Sequence, residues 1–152
     1  MPSLKNNRAT RLFFKLLKQG ISPKKLALCA ALGITLGVFP VYGATTLLCV
    51  IAASIFRLNQ AAIQVINYAV FPLWFIMLVP FFKMGEYIFN ASPIPLTEPK
   101  EIIIMFRSDA VYFFQTLGTA VFHAIVAWLL ICPLIAVILY LGLLPLLKRH
   151  IR

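Results

Sequence analysis

Residues 37–46 read GVFPVYGATT, a proline and two glycines at the centre of a run, 26–56, that holds no charged residue. An apolar run of that length predicts a membrane helix, and proline and glycine inside it predict that the helix stops and starts again. A straight helix over 26–56 would be about 46 Å long, against roughly 30 Å for the hydrocarbon core of a bilayer. Two half-length helices folding back at 37–46 fit better. The run is therefore expected to form a re-entrant, broken-helix hairpin.

Composition supports a membrane setting. The chain has 152 residues, 62% hydrophobic and 12% charged, with a mean hydropathy of +0.95. That is more apolar surface than a soluble globule of this size can bury. The net charge of +10 raises the question of nucleic acid, and the placement of the charges answers it. Seven of the fourteen basic residues precede Leu26, and Lys148, Arg149 and Arg152 stand in the basic tail, 148–152. They flank apolar runs rather than building a groove-reading surface, so the expected partner is the anionic face of a membrane and not a nucleic acid. Cys29, Cys49 and Cys132 fall inside apolar runs without metal-ligand spacing and read as small buried hydrophobes. No metal and no cofactor is expected.

The first twenty-five residues are too long and too basic for a cleavable signal. Ala9, Leu12, Phe13, Leu16 and Leu17 share one helical face, while Arg8, Arg11, Lys15 and Lys18 share the other. This pattern predicts an interfacial amphipathic helix whose basic face meets lipid headgroups, ending at Gly20. Ser22-Pro23 then reads as an N-cap and first helical residue. Two further uncharged runs, 58–82 and 117–147, each predict one transmembrane helix.

Charge asymmetry arranges these segments. If 26–56 crossed the membrane once, Arg57 and the basic tail would lie outside, against the positive-inside tendency. As a hairpin it leaves both termini and Arg57 cytoplasmic and only 83–116 outside. Within that segment, Lys83, Lys100 and Arg107 stand against Glu86, Glu98, Glu101 and Asp109, all the acidic residues of the chain. SPIPLTEP, 92–99, reads as a rigid loop and 101–116 as a helix leaning into the last span. The expected fold is an all-α integral membrane protein: interfacial helix, re-entrant hairpin and two transmembrane helices in a single domain.

Residues 22–60, SPKKLALCAALGITLGVFPVYGATTLLCVIAASIFRLNQ, resemble the core of the family called domain of unknown function 2062, small bacterial inner-membrane proteins. The likeness lies in Ser22-Pro23, Leu26-Ala27, Ala31-Leu32-Gly33, Gly37, Pro40, Tyr42-Gly43, Thr46 and Arg57-Leu58-Asn59, and continues more weakly to about Phe89. Members usually carry an Asn-Pro pair in the following helix; here Tyr68 follows Asn67 and the proline comes at Pro72. The resemblance implies this fold and an inner-membrane location, and brings no activity.

A break inside a bilayer leaves free carbonyls on the first half-helix and free N–H groups on the second, and these must be covered by protein or water. Pro40, Tyr42, Gly43, Thr45, Thr46 and Asn67 are the candidate binding residues on this ground, with Arg57 joining the basic helix as a headgroup contact. Gly33 and Gly37, extended back by Cys29, form a small-residue stripe suited to helix packing. Asn59, Gln64 and Asn67 are expected to hydrogen-bond between helices, and His123, with no acidic partner in its run, to make a structural hydrogen bond. Motifs of nucleophilic, metal-dependent or phosphate-loop catalysis are missing, so no enzyme is expected. Two functions remain: a transporter or flippase-like protein for a small anionic solute or lipid headgroup, or a membrane assembly module whose hairpin only packs against a partner. Either, built on so few spans, calls for a homo-oligomer or a membrane-protein partner.

Overall fold

The computed structural model describes residues 22–92 and 99–151. The expected interfacial helix lies outside them. Helix α1, Pro23–Gly37, begins as its sequence predicts, with the Ser22 hydroxyl accepting the Lys25 N–H at 3.4 Å and proline in the first turn. It stops before Pro40, which has no N–H to give and disfavours helical backbone at Phe39. After residues 38–43, helix α2, Ala44–Ile55, starts from Gly43 at φ 83°, a conformation glycine adopts without strain. The two helices are about 22 and 18 Å long at helical rise, and they pack on each other. The run is thus two packed helices with a break at 38–43.

Arg57, at φ 51°, turns the chain, and the Asn59 side chain caps helix α3, Gln60–Ala69, by accepting the Ala62 N–H at 2.8 Å. Asn59 is a cap, then, rather than an interhelical contact. The run 58–82, expected as one helix, is divided: α3 ends at Ala69 and helix α4 spans Phe71–Phe89. Pro72 is the reason. Lacking an N–H, it cannot bond back to Tyr68, and it sits instead in the first turn of a new helix. Helix α4 also runs past Lys83 and Glu86, which were expected in a loop, to a left-handed cap at Asn90.

The helix expected over 101–116 is likewise cut. Helix α5, Pro99–Ser108, ends before Asp109, whose carboxylate accepts the Tyr112 N–H at 2.9 Å at the start of helix α6, Ala110–Ile151. Helix α6 has 42 residues and contains Pro133 and Pro145. It begins seven positions before the apolar run that announced it, because an Asp cap outweighs the polar residues that follow. Among the described residues there are six helices, of which α4 and α6 are long and apolar enough to cross a membrane.

Helix α1 is the hub, packing on α2, α3 and α6, while α6 also packs on α4. One core joins Leu26, Cys29, Cys49, Ala53, Ile63 and Ile66 of α1–α3. The other joins Phe81 and Phe82 of α4 to Ala120, Ala124, Trp128 and Cys132 of α6, with Val38 of the break. Gly33 lets α1 meet α3 closely: a Cβ there would lie 2.8 Å from Ile66 Cγ2. The small-residue stripe is a packing device, as its spacing predicts. All three cysteines are buried and free.

Candidate functional site

The break at 38–43 exposes backbone on both sides, and the two sides are treated differently. On the α1 side, two tryptophans from distant segments cover the freed carbonyls. The Trp128 indole N–H donates to the Thr35 carbonyl at 3.0 Å and the Trp74 indole N–H to the Phe39 carbonyl at 2.7 Å. Phe39 also meets Trp128 edge-on at 5.0 Å. On the α2 side no side chain caps the first turn. The hydroxyls of Thr45 and Thr46 make no hydrogen bond among the described residues, and both residues are half-buried.

These free groups open into a cleft of about 280 Å³. Tyr42, Gly43, Thr45 and Thr46 line it from the break and α2, Gly37 from α1, Asn67 and Tyr68 from α3, and Phe71 and Trp74 from α4. Five of the six candidate residues therefore come together. Pro40, the sixth, is buried and does not line the cleft; it makes the break without facing it.

Asn67 is only 4% exposed, and a relay holds it. Gln64 Nε2 donates to the Thr46 carbonyl at 3.0 Å, and Asn67 Nδ2 donates to Gln64 Oε1 at 3.3 Å. Gln64 is the interhelical bond expected of it, tying α3 to the start of α2. The rings of Tyr42, Phe71 and Trp74 form the aromatic wall, with Tyr42 5.7 Å from Trp74 and 6.0 Å from Phe71. Tyr68, Phe71 and Trp74 are absent from the candidate list read from sequence. The α3–α4 break that turns them toward the cleft follows from Pro72, a signal present in the chain but hidden in a uniformly apolar run.

The proposed headgroup residues divide in another way. Arg8, Arg11, Lys15 and Lys18 lie outside the described residues. Arg57 is exposed, and its carbonyl accepts from Lys25 Nζ at 3.0 Å, so the two open ends of the hairpin meet at one basic corner.

A second cavity, of about 200 Å³, lies where α4 meets α6 and is lined by Glu86, Ser92, Thr116, Thr119 and His123. His123 stacks on Phe89 at 4.1 Å. The histidine has no carboxylate in its own run, but the fold brings Glu86 to the same cavity from 37 positions away.

Comparison with known proteins identifies a family. The family described as "Uncharacterized protein conserved in bacteria (DUF2062)" matches residues 7–152, and the chain belongs to it. No curated protein and no solved structure matches.

Proposed function

We propose that this member of the family is a multi-pass protein of the bacterial inner membrane, with cytoplasmic termini, that receives a lipid headgroup or small anionic solute at the break between α1 and α2. In this reading α4 and α6 span the bilayer and α1–α2 enter and leave on the cytoplasmic side. Only 22% of the apolar window in each long helix is buried, whereas the core helix of a soluble protein would be mostly covered. The meeting of Lys25 with Arg57 puts basic residues from both ends of the hairpin together, as a cytoplasmic base should.

One observation carries the binding reading: the carbonyl side of the break is capped by two indoles, while the N–H side, with two unbonded hydroxyls, faces a cleft. Uncovered backbone in hydrocarbon costs several kcal/mol per group. A chain that caps one side and leaves the other open offers donors to a ligand or water. Tyr42 is 73% exposed at the cleft mouth, so the reading includes a second copy or another membrane protein against that side.

The test is water access at the cleft. Thr46→Cys, in a background with Cys29, Cys49 and Cys132 replaced, should react with a charged thiol reagent in intact membranes and be protected by bound lipid. A Thr46→Cys that stays unreactive in folded protein would mean a dry turn, and would leave the hairpin as a packing module.

A further inference from the structure

We infer that the basic corner at the base of the hairpin binds a phospholipid headgroup carrying two phosphates, held by Lys25, Arg57 and Lys148. The inference rests on the proposed insertion in the membrane and not on the cleft, which lies at the far end of α1, about 22 Å away at helical rise. Three leucines bring the cations together. Leu26 and Leu58 are buried in the core of α1–α3, and Leu147 of α6 packs against the same core. Lys25, Arg57 and Lys148 are their immediate chain neighbours, so three segments distant in sequence deliver one cation each to one end of the bundle. Lys24 and Arg149 stand one position further along α1 and α6.

Charge sets the ligand class. Lys25 Nζ donates to the Arg57 carbonyl at 3.0 Å, which ties the two together and leaves the ammonium further N–H groups to give. All five cations are exposed, and none pairs with a carboxylate among the described residues. The described carboxylates stand elsewhere: Glu86 lines the α4–α6 cavity, Glu101 is on α5, and Asp109 caps the opposite end of α6 from Lys148. Like charges gathered without counter-ions repel one another, and a single phosphate offsets only part of that. Two phosphates on one headgroup suit cations carried on separate elements. Arg57 supplies a planar fork of donors, and Lys25 and Lys148 supply ammonium groups from α1 and α6.

The neighbours of these cations select a lipid over a soluble diphosphate. Ile55 and Phe56 immediately precede Arg57 and are 68% and 52% exposed, and Leu146, 57% exposed, stands just before Leu147 and Lys148. Large exposed apolar side chains beside unpaired cations match an amphiphile, with phosphates on the cations and acyl chains along the apolar flank. A free polyphosphate would engage the cations and leave that flank in water.

The experiment is native mass spectrometry of the full chain released from vesicles holding diphosphatidylglycerol and phosphatidylglycerol at equal phosphate. The diphosphate lipid should dominate the bound fraction. Arg57→Gln and Lys148→Gln, both at exposed positions, should each lower its ratio to the monophosphate lipid about fivefold, the effect of one basic residue near an anionic surface. Lys100→Gln and Arg107→Gln remove the same charge from α5 and should leave the ratio unchanged. Equal retention of the two lipids, or a ratio lowered as much by the α5 changes as by those at the corner, would mean attraction by net charge alone and overturns the inference. Displacement of the lipid by inorganic pyrophosphate or by an oligonucleotide at matched concentration overturns it too, since neither uses the apolar flank. Equal retention in a protein whose reporter fusions at Asn59 and the C-terminus both read inside removes the lipid site and leaves the proposed topology standing; with both reading outside, the two fall together.

Discussion

Gly85→Ala should loosen the α4–α6 contact, and the structure sets the scale. A Cβ at Gly85 would lie 2.6 Å from the carbonyl carbon of His123, 2.8 Å from its oxygen and 2.9 Å from the Ala124 nitrogen. All three are backbone atoms, so no rotamer change relieves the clash. Ordinary carbon contact begins near 3.5 Å, which forces the two helices apart by about an ångström where Phe81, Phe82, Ala120 and Ala124 pack. Overpacking of this kind costs about 1–3 kcal/mol, and the helix propensity of alanine returns about 1 kcal/mol. The expected net effect is a loss of up to about 2 kcal/mol. Gly118→Ala and Gly142→Ala provide the control: their methyls meet nothing within 4 Å, so they keep the propensity gain without the clash. Unfolding of the purified protein in mixed micelles, followed by tryptophan emission, should move the midpoint down for Gly85→Ala and level or up for the other two. A Gly85→Ala protein as stable as Gly118→Ala would refute the close approach.

Trp128→Phe keeps a ring against Phe39 but leaves the buried Thr35 carbonyl without its donor; a loss of about 1–3 kcal/mol should appear in the same unfolding assay. Trp74→Phe removes the shorter bond, to Phe39, and should also alter labelling of Thr46→Cys, since Trp74 lines the cleft; unchanged labelling would separate cap from cleft. Reporter fusions at Asn59, Pro95 and the C-terminus should read inside, outside, inside, and an external signal at both Asn59 and the C-terminus would defeat the hairpin topology.

Much of the hairpin was legible because its signals are local. Pro40 and Gly43 stop and restart a helix within a few positions, Ser22-Pro23 announces the first turn, and Gly33 and Gly37 fall on one face. The division at Val70 was less legible: Pro72 is a clear breaker, but unbroken hydropathy across 58–82 favours a single span. The site was readable in part for the same reason. Thr45, Thr46 and Tyr42 sit in the break itself, whereas the aromatic wall depends on the α3–α4 turn. The capping indoles, and the shared cavity of Glu86 and His123, depend on tertiary juxtaposition alone. Trp128 lies 93 positions from the carbonyl it covers, and no periodicity links them.

The length of α6 has its own consequence. Its 42 residues measure about 63 Å at helical rise, and even a steep tilt of about 40° leaves roughly 48 Å along the bilayer normal. If α6 spans a membrane with about 30 Å of hydrocarbon, as proposed, some of its turns would stand in the interface. The end near Ala110 is suited to that depth: Phe106 of α5 meets Phe113 and Phe114 of α6 at 5.4 and 6.1 Å, and beside them stands the exposed Tyr112, an amphipathic ring of the kind enriched at headgroup level. Under the proposed insertion, the ends of α6 would take in or release a turn at the interface as the bilayer thickens or thins. Membrane composition would set how deep the protein rides, while the packing of α1 against α6 stays the same.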